Sequence, residues 1–337
     1  MKPTDFAKHL TAFFSEYLPG VRNLSSNTIL SYRDAFRLLL AYCRDCENIP
    51  TEKLRITSFD NQLLVRFLDW LQQERGCSIA TRNIRLAAIH SFFRYVQAHE
   101  PGLLLSCQLV LNIPFKKCQQ PIIQHLTPEQ TCDLLAVPGF STRANRRDTT
   151  LLSVLYDTAA RVQELCDLLA RDVRLDYPSI ITLTGKGRKT RHVPLVTNTV
   201  KLLRSYMDEN GLLKNGSQDM PLFVNQRHAK LTRGGVSHIL SKYAGKMSEE
   251  HPDFPKNPTP HCLRHSKAMH LYQAGVSLIY IRDFLGHIDI ASTDTYARAD
   301  VESKRKILEN VCLNLTPSNE LSDWSRDQSL LEYLNNL

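Results

Sequence analysis

Six residues suited to attacking a phosphodiester are spread widely along this chain: Arg161, Lys186, His261, Arg264, His287 and Tyr296. The planar fork of an arginine can hold two phosphate oxygens at once, which the point charge of a lysine does less well. A tyrosine offers an oxygen that can become covalently attached to phosphorus. Histidine moves protons near neutral pH, and lysine can give one to a departing alkoxide. Two arginines, a lysine, two histidines and a tyrosine, gathered in one pocket, could break a phosphodiester without metal. The chemistry depends on a fold that brings them together.

Each residue sits in a short local pattern. Arg161 lies in Thr158-Ala159-Ala160-Arg161-Val162-Gln163-Glu164-Leu165, with Glu164 three positions on and best read as structural support for that turn. Lys186 falls in Thr184-Gly185-Lys186-Gly187-Arg188-Lys189-Thr190-Arg191, the expected tip of a hairpin. Pro260-His261-Cys262-Leu263-Arg264-His265 opens a helix expected to end near Gly275. Its His261, Arg264 and His265 share a face close to an N-terminus, where free amides and the helix dipole favour anions. His265 reads as a packing and orienting residue. Leu285-Gly286-His287-Ile288 leads through a turn to Ser292-Thr293-Asp294-Thr295-Tyr296-Ala297. Any one of these patterns arises by chance in many proteins; their joint appearance in this order is specific. A metal reading of the histidines would need a His-Glu-x-x-His pattern or further ligands nearby.

The elements that must position these groups fall into two bodies. Apolar residues recur at helical intervals from Thr28 to Cys43, Leu63 to Leu71 and Ile84 to Val96, with Ser25-Ser26-Asn27 as capping candidates ahead of the first. Arg33 with Arg37, and Arg82 with Arg85, each project from one helical face, as phosphate contacts or as solvated surface. A polar connector bracketed by Pro114 and Pro121 follows, and Thr127-Pro128 opens a new helix. A helical stretch is expected from Asp148 to Leu169, carrying Arg161 and Glu164. Short strands are expected at Val173 to Leu175, Ile180 to Thr184 and His192 to Leu195, with helical periodicity returning from Val200 to Met207.

The expected fold class is therefore mainly α with a small antiparallel β-sheet, in two domains. Residues 1–112 would form a helical module, 113–124 a linker, 125–316 the catalytic domain and 317–337 a tail helix. In that tail Leu330, Leu331, Leu334 and Leu337 make an apolar stripe on a helix too short to be stable alone.

Composition agrees without deciding. The chain has 337 residues, 42% hydrophobic and 23% charged, with a formal net charge of +8. That is an ordinary globular composition leaning mildly toward nucleic acid. No apolar run approaches a membrane span, and the N-terminus lacks the features of a secretory signal. The nine cysteines are scattered, as expected of reduced thiols in a cytoplasm. Cys43 and Cys46 have Cys-x-x-Cys spacing with no second pair at zinc-site distance, so they read as helix side chains.

In order and spacing, the motifs at Arg161, Lys186, His261, Arg264, His287 and Tyr296 resemble the tyrosine recombinase family, the phage integrase and Xer-type enzymes. The likeness is strongest over residues 145–305. It is looser over 1–115, where the helices resemble the family's core-binding domain, the other half of a clamp around DNA. Departures are modest: Ala159-Ala160 stands where a glycine and an apolar residue are commoner, and Lys267 and His270 replace commoner types. The resemblance implies a site-specific recombinase that cuts and rejoins duplex DNA through a 3′-phosphotyrosyl intermediate. It implies these six catalytic residues, a homotetramer on double-stranded DNA and a cytoplasmic protein. Because one ester is exchanged for another, no cofactor, metal or small-molecule substrate is expected. A type IB topoisomerase-like enzyme that nicks and reseals one duplex, or a DNA-binding regulator that does not cut, are the alternatives.

Overall fold

In the computed structural model the described residues are 3–118, 124–185, 187, 189–251, 253–255 and 257–286. The chain divides into two compact units, Met1–Pro121 and Ile122–Leu337.

The first unit is helical. Helix α1 (Asp5–Ala12) starts where the Thr4 side chain accepts from the Ala7 amide, and it continues as a π-helical stretch over Phe13–Val21. Helices α2 (Ser26–Asp45), α3 (Asn61–Gln73) and α4 (Ile79–His99) each start at a residue whose side chain accepts from the third amide beyond it: Ser25, Asp60 and Ser78. Such a cap satisfies one of the amides that every helix start leaves unpaired, worth about 1 kcal/mol. Helix α5 (Leu104–Leu111) closes the unit. Phe13, Phe36, Phe67, Phe92, Phe93 and Leu39 are fully buried in one core, each worth about 1.5–3 kcal/mol in water-excluded area.

The arginine pairs of this unit part company. Arg33 and Arg37 are exposed on α2. Arg82 on α4 is only 3% exposed, and Arg85 is half-buried with Nη1 donating to Cys77 Sγ. The expectation that Arg82 and Arg85 jointly face solvent or phosphate is therefore wrong. Helix α4 packs against α2, α3 and α5, so little of its circumference is left as a polar face. Just beyond α5, Lys116 Nζ donates to Asp69 and Gln72, and its main chain exchanges hydrogen bonds with Asn83.

The second unit is mixed. Helix α6 (Pro128–Ala136) opens with a reciprocal cap between Thr127 and Gln130. Helix α7 (Arg143–Asp157) and helix α8 (Val162–Asp167) follow. Strands β1 (Val173–Arg174), β2 (Ile180–Thr184) and β3 (Thr190–Pro194) form an antiparallel sheet in that order, with Ile181 opposite Val193 and Leu183 opposite Arg191. Helices α9 (Thr197–Glu209), α10 (Arg233–Glu250), α11 (Pro260–Gln273) and α12 (Leu278–Leu285) complete the described part. Leu151, Leu155, Ile181, Leu183, Leu240 and Leu263 belong to one core that joins α7, the sheet, α10 and α11. Among the described residues no helix is long and apolar enough to cross a membrane.

One expected element is not continuous. The helix drawn from Asp148 to Leu169 is two helices, broken at Thr158–Arg161. Thr158 Oγ1 bonds back to Val154 O, Ala159 turns into the left-handed region at φ 45°, and Arg161 is extended as the cap residue of α8. Lys267 and His270, unusual after the His-x-x-Arg motif, tie this region down. Lys267 reaches Asp157, while His270 bonds Tyr156 OH through Nδ1 and Leu126 O through Nε2. Nε2 must donate to the carbonyl, and burial favours the neutral imidazole, in which Nδ1 accepts from the phenol.

Candidate active site

The break between α7 and α8 is what aims Arg161. As the cap residue of α8 it leaves the helix axis, and its own amide donates to Glu164 Oε2 at 2.9 Å. Its guanidinium donates to Glu164 Oε1 at 2.7 Å and to the Gly286 carbonyl at 3.1 Å, with 40% of the side chain still exposed. The planar fork thus has two fixed partners and an open edge.

Arg264 is placed from a different direction. Helix α11 starts at Thr259, whose side chain accepts from Cys262 N, and one turn in Arg264 points into the protein. It is 1% exposed, and its two terminal nitrogens each donate at 2.6 Å, one to Ala159 O and one to Leu285 O. His261, on the first turn of the same helix, keeps an exposed edge and stacks edge-on against His265 with ring centroids 4.0 Å apart. Desolvation, then the charges of Arg264 and Arg161, push its imidazole below the usual range, so it is neutral at physiological pH. The structure thus brings Arg161, His261 and Arg264 together. Lys186, His287 and Tyr296 lie outside the described residues.

A third arginine completes the cluster. Arg191 on β3 sends Nη1 and Nη2 to the two oxygens of Glu164 at 3.1 and 2.8 Å, and Nε to the Phe284 carbonyl at 3.0 Å. Sequence reasoning passed over it, although a signal was present. Alternation along β3 puts Arg191 on the same face as buried Val193, and an inward-facing arginine needs an anionic partner. Glu164, 4% exposed, is that partner. Burial is the largest single influence on its carboxyl and would raise it. The Arg191 fork, the Arg161 amide, the charge of Arg191 and the Arg161 side-chain hydrogen bond outweigh burial and hold it at about 2.

Three successive carbonyls at the end of α12, those of Phe284, Leu285 and Gly286, therefore each accept from a different arginine: Arg191, Arg264 and Arg161. These belong to the groups a helix leaves unpaired at its negative end. Gly286 terminates α12 at φ 65°, and a Cβ there would lie 3.1 Å from Arg191 Nη1. Glycine is favoured on both counts. Gly185 has a similar constraint at the base of the β2–β3 hairpin, where a Cβ would lie 3.0 Å from Glu164 Oε1.

Three guanidiniums against one carboxylate leave an excess of positive charge beside a neutral imidazole. That is a site for an anion of phosphate type, set in a helical domain with a small sheet. Residues 124–303 match the phage integrase family, and residues 12–100 match the phage integrase N-terminal SAM-like domain. The chain is similar to a Sinorhizobium fredii protein named integrase/recombinase y4rC, at 36% identity over 338 residues, spanning all of this chain and 99% of the relative. It is similar to tyrosine recombinase XerC of Bacillus subtilis at 30% identity, covering 88% of this chain and 94% of that one. Among solved structures, XerH recombinase bound to palindromic difH superposes with a TM-score of 0.65 at 25% identity, covering 86% and 80% of the two chains. The Tn1549 transposon integrase with right-end DNA, at 20% identity, shares the fold with a TM-score of 0.67, covering 88% of this chain and 98% of that one. The chain belongs to the phage integrase family, the tyrosine recombinases, and is a site-specific DNA recombinase.

Proposed function

We propose that Tyr296 is the nucleophile, that Arg161 and Arg264 hold the non-bridging oxygens of the scissile phosphate, and that cleavage leaves a 3′-phosphotyrosyl intermediate. The observation that carries this reading is the convergence of Arg161 and Arg264, from segments over a hundred residues apart, on the adjacent carbonyls of Gly286 and Leu285, immediately before His287. A free tyrosine has a pKa of about 10, so forming the phenolate at neutral pH costs about 4 kcal/mol that the surrounding cations must offset. His261, kept neutral, is suited to accepting the phenol proton or to hydrogen-bonding the phosphate. His287 would bond the same phosphate, and Lys186 would protonate the departing 5′ oxygen, a poor leaving group otherwise. A 5′-hydroxyl from a second duplex then attacks the phosphotyrosyl ester and reseals the strand as a recombinant.

The reaction would take place on DNA in the cytoplasm, within a homotetramer. Residues 1–112 would close on the duplex opposite residues 125–316, joined by 113–124. The tail 317–337, with its leucine stripe, would dock on a neighbouring protomer. Deleting residues 318–337 is expected to abolish cooperative assembly on paired sites while leaving single-site binding intact; gel-shift titrations read both, and unchanged cooperativity refutes the tail's role.

Recombinant junctions recovered from the DNA flanking its own gene supply a duplex for testing the chemistry. With a nick placed so that the 5′-hydroxyl fragment diffuses away, the wild-type protein should accumulate a covalent, detergent-resistant adduct. Tyr296→Phe should form none. An adduct with Tyr296→Phe, or none with the wild-type protein, overturns the assignment.

A further inference from the structure

The pairing of Arg191 with Glu164 lies beyond the six residues assigned above, and its geometry is unusual. Among the described residues Glu164 is the one carboxylate bonded by both Arg161 and Arg191, and each of its two oxygens accepts from both of them. Glu164 is nearly fully buried, so water cannot screen the pair from its neighbours. If Glu164 faced Arg161 alone, one buried negative charge would cancel the positive charge of Arg161, and only that of Arg264 would be left for a phosphate. With Arg191 present the three groups sum to a net positive charge. Arg191 is only 12% exposed in its side chain, whereas Arg161 is 40% exposed, so the surplus is available at Arg161.

We propose that Arg191 is a positioning residue that shares Glu164 with Arg161 and so preserves the positive charge Arg161 presents to the scissile phosphate. This rests on the role given to Arg161 above. Glu164 supplies geometry by receiving both the amide and the side chain of Arg161, and Arg191 prevents that geometry from quenching the charge. The arrangement also joins the β2–β3 hairpin to the Arg161 turn and, through Phe284 O, to the end of α12.

The test uses full-length protein and the nicked junction duplex at saturating enzyme. Arg191→Gln is expected to slow single-turnover adduct formation about ten- to a hundredfold, a range typical of losing a preorganised electrostatic contribution. Duplex affinity, read by gel shift, should change less than about twofold. The deciding variant is Arg191→Gln with Glu164→Gln, which restores the net charge beside the phosphate. It should cleave at least about fivefold faster than Arg191→Gln alone. A purely structural role for Arg191 predicts instead a double variant no faster than the single one, and that result overturns the proposal, as does wild-type cleavage by Arg191→Gln. Should Arg191→Gln fail to fold, Arg191→Lys decides, since it keeps the charge and loses the fork. Cleavage within about fivefold of wild type supports charge sharing, and a greater loss in a folded protein refutes it. Failure of the wild-type protein to form any adduct would overturn the catalytic reading itself, and is distinct from all of these.

Discussion

Ala159 shows how much a single backbone position contributes to the site. It is fully buried at φ 45°, a conformation that costs an alanine about 1–2 kcal/mol, and its carbonyl receives Arg264. Glycine would relieve that strain, but it would lose a buried methyl worth about 0.8 kcal/mol and gain unfolded-state entropy worth about 0.4–1 kcal/mol. These terms nearly cancel. Ala159→Gly is therefore expected to lie within about 1 kcal/mol of wild type by urea denaturation. Ala159→Val, branched at positive φ in a packed core, should cost at least about 2 kcal/mol. The sequence already pointed here, since Ala159 stands where the family commonly has glycine. The left-handed turn behind that preference was not legible, because nothing in Thr158-Ala159-Ala160 disfavours a continued helix. Arg191 was less legible still: its partner is 27 positions away, and only the face it occupies on β3 hinted at a buried anion.

At the scale of elements, period and caps were legible and breaks were not. Helices α2, α3, α4, α6, α9 and α11 appear where apolar spacing, the caps at Ser25 and Thr127 and the start at Pro260 put them, with ends shifted by a few residues, while the caps at Asp60, Ser78 and Thr259 were not anticipated. The division between α7 and α8 escaped because Val162 to Leu165 continues a helical pattern, while tertiary hydrogen bonds from Arg264 to Ala159 O and from Arg161 to Gly286 O select the turn. The same reasoning locates a sensitive point in the hairpin. Gly185 closes it by donating to Lys189 O and passes close to Glu164. In Gly185→Ala the new methyl must displace the carboxylate by a few tenths of an ångström. Adduct formation is expected to fall about tenfold, because small misplacements near a reacting phosphate are costly. The urea midpoint should barely move, and a variant as fast as wild type would show that the carboxylate can give way without disturbing Arg161.

Across the whole molecule, three histidines make stability depend on pH in both units. In the first unit, His90 donates through Nε2 to Val110 O, while its buried Nδ1 has no partner among the described residues. In the second, His261 and His270 are desolvated and face positive neighbours. Desolvation is the leading cause in all three, and each folded imidazole titrates below the usual 6.5. The unfolded chain therefore takes up protons first as pH falls through about 6.5, and stability is lost from there downward at up to about 1.4 kcal/mol per pH unit per group. Glu164 works in a lower window: its contribution is present above the ordinary carboxylate range and is lost as pH falls toward about 2. The urea midpoint should thus decline between pH 7 and 5.5. His90→Gln should flatten that decline in the first unit, which tryptophan fluorescence can follow in a Trp324→Phe background, where Trp70 of that unit is the remaining tryptophan.

The end of helix α12 has a further consequence for a recombinase between encounters with DNA. Three like-charged heads held this closely would splay apart in water were nothing negative set among them. Backbone oxygens at the helix terminus, together with the Glu164 carboxylate, tether those heads while leaving the outer edge of Arg161 uncovered. Under the roles proposed above for Arg161 and Arg264, the idle enzyme keeps its cations gathered, and an arriving backbone does not have to assemble them.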